Sequence, residues 1–238
     1  MNMALRGDEF ELARAFEDLR RDGIASIPNF LTDEEFARMG KFVDEAVARR
    51  PGAYVGFNGP AEMAGSGLDE LGASDRLHSL AERIYEHMTG RPAQRSDFYQ
   101  VLRCLSGPDV NTHSHFYHYD SYVVTLLVPI RIPTKGKTGD FLLIPNARRY
   151  RRSYWRNAVD KVLLDNRISQ RVLRFLAERR LPPVRRVKLE PGRMYFFCGY
   201  RTIHTNEPCD EDQLRATALF HFANPHAGHS RGPRAKMA

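Results

Sequence analysis

Before residue 97 the apolar residues of this chain recur at helical spacing; after it they alternate, or run in short blocks cut by turn residues. This change of period constrains the fold most, because a helix buries a stripe and a strand buries a face, and neither pattern serves the other. In the first part, Phe10, Leu12, Ala15, Phe16 and Leu19 predict a helix over 8–21 that Gly23 closes, with a short strand over 24–27 behind it. Thr32 and Glu35 form a capping-box pair ahead of Phe36, Met39, Phe42, Val43 and Val47, predicting a second helix to about residue 49. Leu77, Leu80, Ile84 and Met88 mark a third over 75–88, with Gly90 past its end. The glycine-rich stretch 51–73 between them reads as a long irregular loop, of the kind that often forms a lid.

Strands are expected over 98–105, 116–132, 140–144, 184–189, 194–198 and 215–222. Ser106-Gly107-Pro108, Lys135-Gly136, Pro191-Gly192 and the polar stretch 207–213 supply the turns. The interruption over 150–180 reads as one or two inserted helices, with Val162, Leu163, Ile168, Val172, Leu173 and Leu176 as the buried stripe. Helices followed by a run of strands give an α+β chain with a β-sandwich core. At 238 residues and without internal repeats, one domain is expected: a helical part over 8–90, a core over 97–225 carrying the insert, and a basic tail over 226–238.

The net charge of +7 suits nucleic acid, an anionic membrane surface, or an acidic substrate or cosubstrate. Much of the excess lies in Arg148, Arg149, Arg151, Arg152 and Arg156, in 171–180, and in Arg185, Arg186 and Lys188. The first cluster interleaves with Tyr150, Tyr154 and Trp155, a composition that also suits stacked bases, although charge runs are commonly solvated helix faces and nucleic acid is not the favoured partner. The longest apolar stretch, 123–130, contains Thr125 and Pro129 and falls well short of the roughly 18 residues of a membrane span. Acidic residues stand where a signal peptide needs its apolar region, and Cys104, Cys198 and Cys209 form no CxxC pair. A soluble, cytoplasmic protein with free thiols is expected, its oligomeric state open.

The densest chemical signal is Asn111-Thr112-His113-Ser114-His115-Phe116-Tyr117-His118-Tyr119-Asp120. On a strand, residues two apart share a face, so His118 and Asp120 can point together at one cation. An imidazole and a carboxylate are the mixed donors that suit Fe(II), and a facial triad needs one further histidine, for which His204 is the natural candidate. If the chain folds back near Cys209 and Asp210, His204 lies across a hairpin from Arg215. Arg215 and Thr217 share a face, so a guanidinium and a hydroxyl can hold a carboxylate close to the metal. His113 and His115 do not share the face of His118 and Asp120 on a regular strand, and His115 is the better placed of the two for substrate. Tyr99, Gln100 and Arg103 lie on a strand expected to border the cavity, and His221 and Asn224 follow the arginine strand; Tyr99, Arg103 and His221 join His115 as substrate candidates.

His118-Tyr119-Asp120, the distant His204 and Arg215-Ala216-Thr217 resemble the HxD…H and R-x-S/T pattern of the 2-oxoglutarate-dependent Fe(II) oxygenases. Residues 22–35, Asp22-Gly23-Ile24 through Glu35, and Gly139-Asp140-Phe141-Leu142-Leu143-Ile144-Pro145 are similar to the phytanoyl-CoA dioxygenase-like branch. The resemblance implies a double-stranded β-helix, a cupin-like jelly roll, with N-terminal helices and a helical insert. It also implies Fe(II), 2-oxoglutarate and O₂ as cofactors, with His118, Asp120 and His204 on the metal and Arg215 with Thr217 on the cosubstrate.

The implied reaction couples decarboxylation of 2-oxoglutarate to hydroxylation of an aliphatic C–H in a small polar metabolite, such as a free or carrier-tethered amino acid. Alternatives are the same chemistry on a phosphorylated, CoA-linked or nucleic-acid substrate, and a non-catalytic jelly-roll protein that binds metal or ligand. Two departures stand out: the serine and histidine that usually follow the Gly139–Pro145 segment are replaced by Asn146-Ala147-Arg148-Arg149, and the insert lengthens the gap to His204. Asp120 argues against the related halogenases, which lack that carboxylate.

Overall fold

The computed structural model describes residues 3–151 and 153–226, so Arg152 and nearly all of the basic tail lie outside the described residues. The helices are α1 (Met3–Asp22), α2 (Asp33–Ala48), α3 (Leu68–Ala73), α4 (Asp75–Thr89), α5 (Tyr154–Asp165) and α6 (Arg167–Glu178). The strands are β1 (Ile24–Ile27), β2 (Val55–Asn58), β3 (Tyr99–Leu105), β4 (Val124–Arg131), β5 (Phe141–Ile144), β6 (Arg185–Val187), β7 (Met194–Phe197), β8 (Ile203–Asn206) and β9 (Arg215–Phe222). They form two antiparallel sheets, β1-β7-β4-β9-β3-β2 and β6-β5-β8.

Strand alternation sets the layers. On β9, Ala216, Ala218, Phe220 and Phe222 join the core that Leu12, Met39, Val43 and Ile84 of α1, α2 and α4 complete. On β7, Phe196 faces that same core, while Tyr195 and Phe197 meet Phe141 and Leu143 of β5 in a second core between the sheets. Each such side chain removed from water contributes about 1.5–3 kcal/mol. The remaining face of β9, carrying Arg215, Thr217, Leu219 and His221, therefore looks into the space between the sheets. The helices start where their caps say. Thr32 Oγ1 accepts from the Glu35 amide at 3.2 Å and Glu35 Oε2 from the Thr32 amide at 2.9 Å, while Gly23 and Gly90, at φ +76 and +67, end α1 and α4.

Four expectations need correction. The stretch 51–73 is not irregular throughout: it holds β2, a 3-10 turn and α3, pinned by buried Val55, Met63, Leu68 and Leu71 that the glycines obscure. The expected strand over 116–132 begins only at Val124, because His115 takes φ +58 and the segment after it meets β8 solely through a bridge between His118 and His204. The expected hairpin between the arms of His204 and Arg215 does not form: β8 pairs with β5, whereas β9 lies between β4 and β3. The insert is indeed two helices, but Val162, Leu163, Ile168 and Val172 are exposed and Leu173 and Leu176 only half-buried. Leu164 and Ala177 are the buried ones, packed with Tyr117, Tyr119 and Leu142.

The first arginine cluster braces this insert. Arg148 is buried between the rings of Tyr119 and Tyr200, at 3.9 and 4.5 Å, and donates to the Tyr200 carbonyl, Asn157 and Asp160. Arg151 also binds Asp160, at 2.7 Å. These two are fastenings, not a phosphate cradle.

Candidate metal centre

His118 and His204 exchange both backbone hydrogen bonds, each amide donating to the other's carbonyl at 3.1 Å. Paired residues of an antiparallel bridge project to one side, so the imidazoles converge, with ring centroids 4.4 Å apart. Asp120 reaches the same point: its Oδ1 lies 3.6 Å from His118 Nε2 and 3.5 Å from His204 Nε2. One donor atom from each of the three falls within 4.8 Å of the others. His118 Nδ1 bonds the Phe116 carbonyl at 3.0 Å and His204 Nδ1 that of Thr202 at 3.1 Å. A carbonyl accepts only from N–H, so each ring carries a proton on Nδ1 and, when neutral, turns a bare Nε2 toward the centre. Two such nitrogens and a carboxylate fit a divalent iron-type cation with open positions.

The carboxylate has its own supports. Thr125 Oγ1 donates to Asp120 Oδ2, and His221 Nδ1 lies 3.2 Å from that hydroxyl and 3.6 Å from the carboxylate. The Asp120 amide donates to the Gly199 carbonyl at 3.0 Å, and a Cβ at Gly199 would overlap both the carboxylate and the Thr125 hydroxyl. Burial alone would raise the Asp120 carboxyl, but the pull of His204 and then of His221 outweighs it and holds the carboxyl well below the usual carboxylate range. Burial likewise opposes charge on His204, yet Asp120 outweighs it and raises that imidazole. Thr125 and Gly199 carry no metal-ligand signal in the sequence. They are visible only once the fold brings β4 and the turn after β7 against the HxD segment.

Arg215 is 3% exposed and lies on the face of β9 shared with Thr217 and His221. Its Nε donates to the Gly139 carbonyl at 2.9 Å, and one terminal nitrogen lies 3.5 Å from Thr217 Oγ1. Burial, then the nearby Arg103 charge, lowers the guanidinium to about 10. It forms no ion pair with a described carboxylate.

The other sequence candidates separate. Tyr99 pairs with His221 and Arg103 with Thr217 across β3 and β9, which sets both on the inner face. Gln100 has the opposite facing and is buried beside Gly72. His221 is held behind the Asp120 carboxylate, stacked with Tyr99 and Tyr122. His115 shares its charged surroundings, Arg174, Glu178, Arg186 and Glu207, with Tyr117 on the side of the insert. His113, against Tyr54 at 3.9 Å, is the histidine beside Arg103. The Asn224 carboxamide caps its own turn by accepting from the His226 amide.

Neither a protein-family model nor a curated protein sequence matches the chain. Solved structures do. A prolyl hydroxylase from Trichoplax adhaerens, in complex with a hypoxia inducible factor peptide fragment, superposes with a TM-score of 0.57 at 13% identity, covering 98% of both chains. HygX from Streptomyces hygroscopicus, with nickel and 2-oxoglutarate bound, gives 0.60 at 12% identity over 92% of this chain and 94% of that one. The non-heme α-ketoglutarate-dependent epimerase SnoN from nogalamycin biosynthesis gives 0.52 at 15% identity over 94% and 89%. The chain shares their fold. Two facing antiparallel sheets with helices against the larger agree with a jelly-roll core.

Proposed function

We propose that this chain is an Fe(II)- and 2-oxoglutarate-dependent oxygenase that hydroxylates an aliphatic C–H of a small polar metabolite. His118, Asp120 and His204 would hold the iron, and Arg215 with Thr217 the far carboxylate of 2-oxoglutarate. The double-stranded β-helix winding and the phytanoyl-CoA dioxygenase-like affinity belong to the same proposal and rest on sequence motifs.

One observation carries it: Arg215 is a buried cation that makes no ion pair with the described residues and feels only a weak pull from Asp140, on the strand face that also holds His221 against the Asp120 carboxylate. A charge in that setting is costly unless an anion completes it. A 2-oxo acid chelating the metal, with a second carboxylate on its far end, is such an anion. The bound iron and cosubstrate supply the oxidising chemistry, in which O₂, 2-oxoglutarate and the substrate C–H give succinate, CO₂ and the alcohol. The chain fixes the two imidazole tautomers, orients Asp120 through Thr125, and encloses the reacting centre between its sheets.

Arg103 lies on the same inner face as a second cation. It supports a substrate bearing its own carboxylate, with Tyr99 further along the same face of β3. Because Arg148 and Arg151 are spent on the brace to Asp160, the phosphorylated, CoA-linked and nucleic-acid alternatives have less support.

A screen for succinate release against a panel of amino acids and other small carboxylates, with Fe(II), O₂ and 2-oxoglutarate, tests the proposal. Release stimulated by one metabolite and abolished by His118→Ala is the expected result. Succinate formed equally by wild type and by His118→Ala would sink it.

A further inference from the structure

The helical insert leaves an apolar face uncovered. Its inner side packs on the body through Leu164 of α5 and Ala177 of α6. At 3.6 residues per turn, Trp155, Val159 and Val162 stand on the side of α5 away from Leu164, and Ile168, Val172 and Phe175 on the side of α6 away from Ala177. Exposure among these six runs from 51% at Phe175 to 77% at Trp155. Scattered exposed apolar residues are ordinary; a set repeated on the same face of two adjoining helices marks an interaction surface.

Charge selects the occupant. Residues 148–180 contain eleven Lys and Arg against three Asp and Glu, whereas the whole chain is only +7, so this segment accounts for all of the excess. Arg156, Arg167, Arg171 and Arg174 are exposed and make no ion pair with described residues. A second copy of the chain would bring like charge against like charge here. An apolar stripe rimmed by arginines, with aromatic residues in the stripe, matches a helix that lies in the interfacial plane of an anionic bilayer.

We propose that the α5–α6 hairpin docks this protein onto an anionic phospholipid surface, with Trp155 and Phe175 at the boundary of headgroups and acyl chains and the arginines on lipid phosphates. Docking would orient the metal site as well. Gln170 of α6 bonds both the amide and the carbonyl of Tyr117, at 2.9 and 2.8 Å, and Lys161 of α5 bonds Ser121 Oγ at 2.8 Å, so the hairpin is tied to the HxD segment on both sides.

Trp155 is the sole tryptophan, so its emission reports on this surface directly. The full chain is titrated with phosphatidylcholine vesicles with and without phosphatidylglycerol, including a series with brominated acyl chains. With anionic vesicles, a blue shift and bromine quenching that fade as salt is raised are expected. Arg171→Glu with Arg174→Glu, or Ile168→Asp with Phe175→Asp, should lower partitioning by about tenfold or more. All four positions are exposed, and far-UV circular dichroism checks that the variants fold; the wild-type quenching decides the matter even if one does not. Absence of a shift with anionic vesicles at low salt overturns the proposal, as does equal binding to neutral vesicles. Binding to soluble poly-glutamate but not to vesicles would assign the face to an acidic protein instead. A vesicle-independent shift that tracks dimerisation would assign it to a second copy.

Discussion

His118 and His204 are joined by two reciprocal backbone hydrogen bonds of 3.1 Å, so two metal-ligand candidates far apart in sequence are held as one antiparallel pair. The pair sets where the imidazoles point, and the carbonyls of Phe116 and Thr202 set which nitrogen each presents. Asp120 is placed by different means, through Thr125 and the close approach of Gly199.

Gly199→Ala should therefore damage the metal centre without unfolding the chain. Its methyl group displaces the Asp120 carboxylate, and loss of a ligand's support typically costs about 10–100-fold in metal affinity. Anaerobic titration with Fe(II), beside thermal unfolding of the metal-free protein, separates the two effects. Unchanged iron affinity would show that Asp120 is not positioned this way.

Arg215 should show opposite effects on stability and cosubstrate binding. Arg215→Met removes a buried cation that makes no ion pair with the described residues, and is expected to stabilise the cofactor-free chain by about 1–4 kcal/mol while abolishing 2-oxoglutarate binding. Arg215→Lys keeps the charge but loses the two-pronged geometry, and should raise the KM for 2-oxoglutarate by about tenfold or more at unchanged iron affinity. Chemical denaturation and cosubstrate titration check the pair.

Metal affinity should depend on pH with a defined sign. Burial disfavours the charged form of His204, but Asp120 overrides it and raises the imidazole above its ordinary 6.5. Below that raised value a proton occupies Nε2 and must leave before metal binds. Affinity is thus expected to fall as pH drops through that raised value, approaching tenfold per unit for one displaced proton. A flat profile in an anaerobic Co(II) titration contradicts it.

Gln170→Ala should loosen the HxD segment from α6. Both backbone groups of Tyr117 lose their partner, at about 1–3 kcal/mol for each buried group left unsatisfied. Faster hydrogen exchange at the Tyr117 amide, with the larger sheet still protected, is the expected signature.

What was legible in the sequence is what local chemistry determines. Thr32 and Glu35 announce their capping box because both partners lie within one helical turn, and Arg215 with Thr217 share a face because a strand repeats every two residues. His118 and Asp120 do converge as expected, although on an extended segment and not a regular strand, since His115 breaks the conformation at positive φ. β8 was hidden because it is four residues long and three of them, His204, Thr205 and Asn206, are polar. Its true neighbours, β5 and the HxD segment, are remote, so the nearer arm with Arg215 looked like the partner. Gly199 is invisible for a related reason: what it avoids belongs to Asp120 and Thr125. In the insert, periodicity revealed a stripe but not whether the body or something outside covers it.

The central claim is that His118, Asp120, His204 and Arg215 form one site for iron and 2-oxoglutarate. It is tested most directly by adding Fe(II) and then 2-oxoglutarate to the metal-free protein without oxygen and recording the visible spectrum. A metal-to-ligand charge-transfer band should appear with wild type, vanish in His118→Ala, and require far more 2-oxoglutarate in Arg215→Lys. No band with wild type, or the same band in His118→Ala, would contradict it.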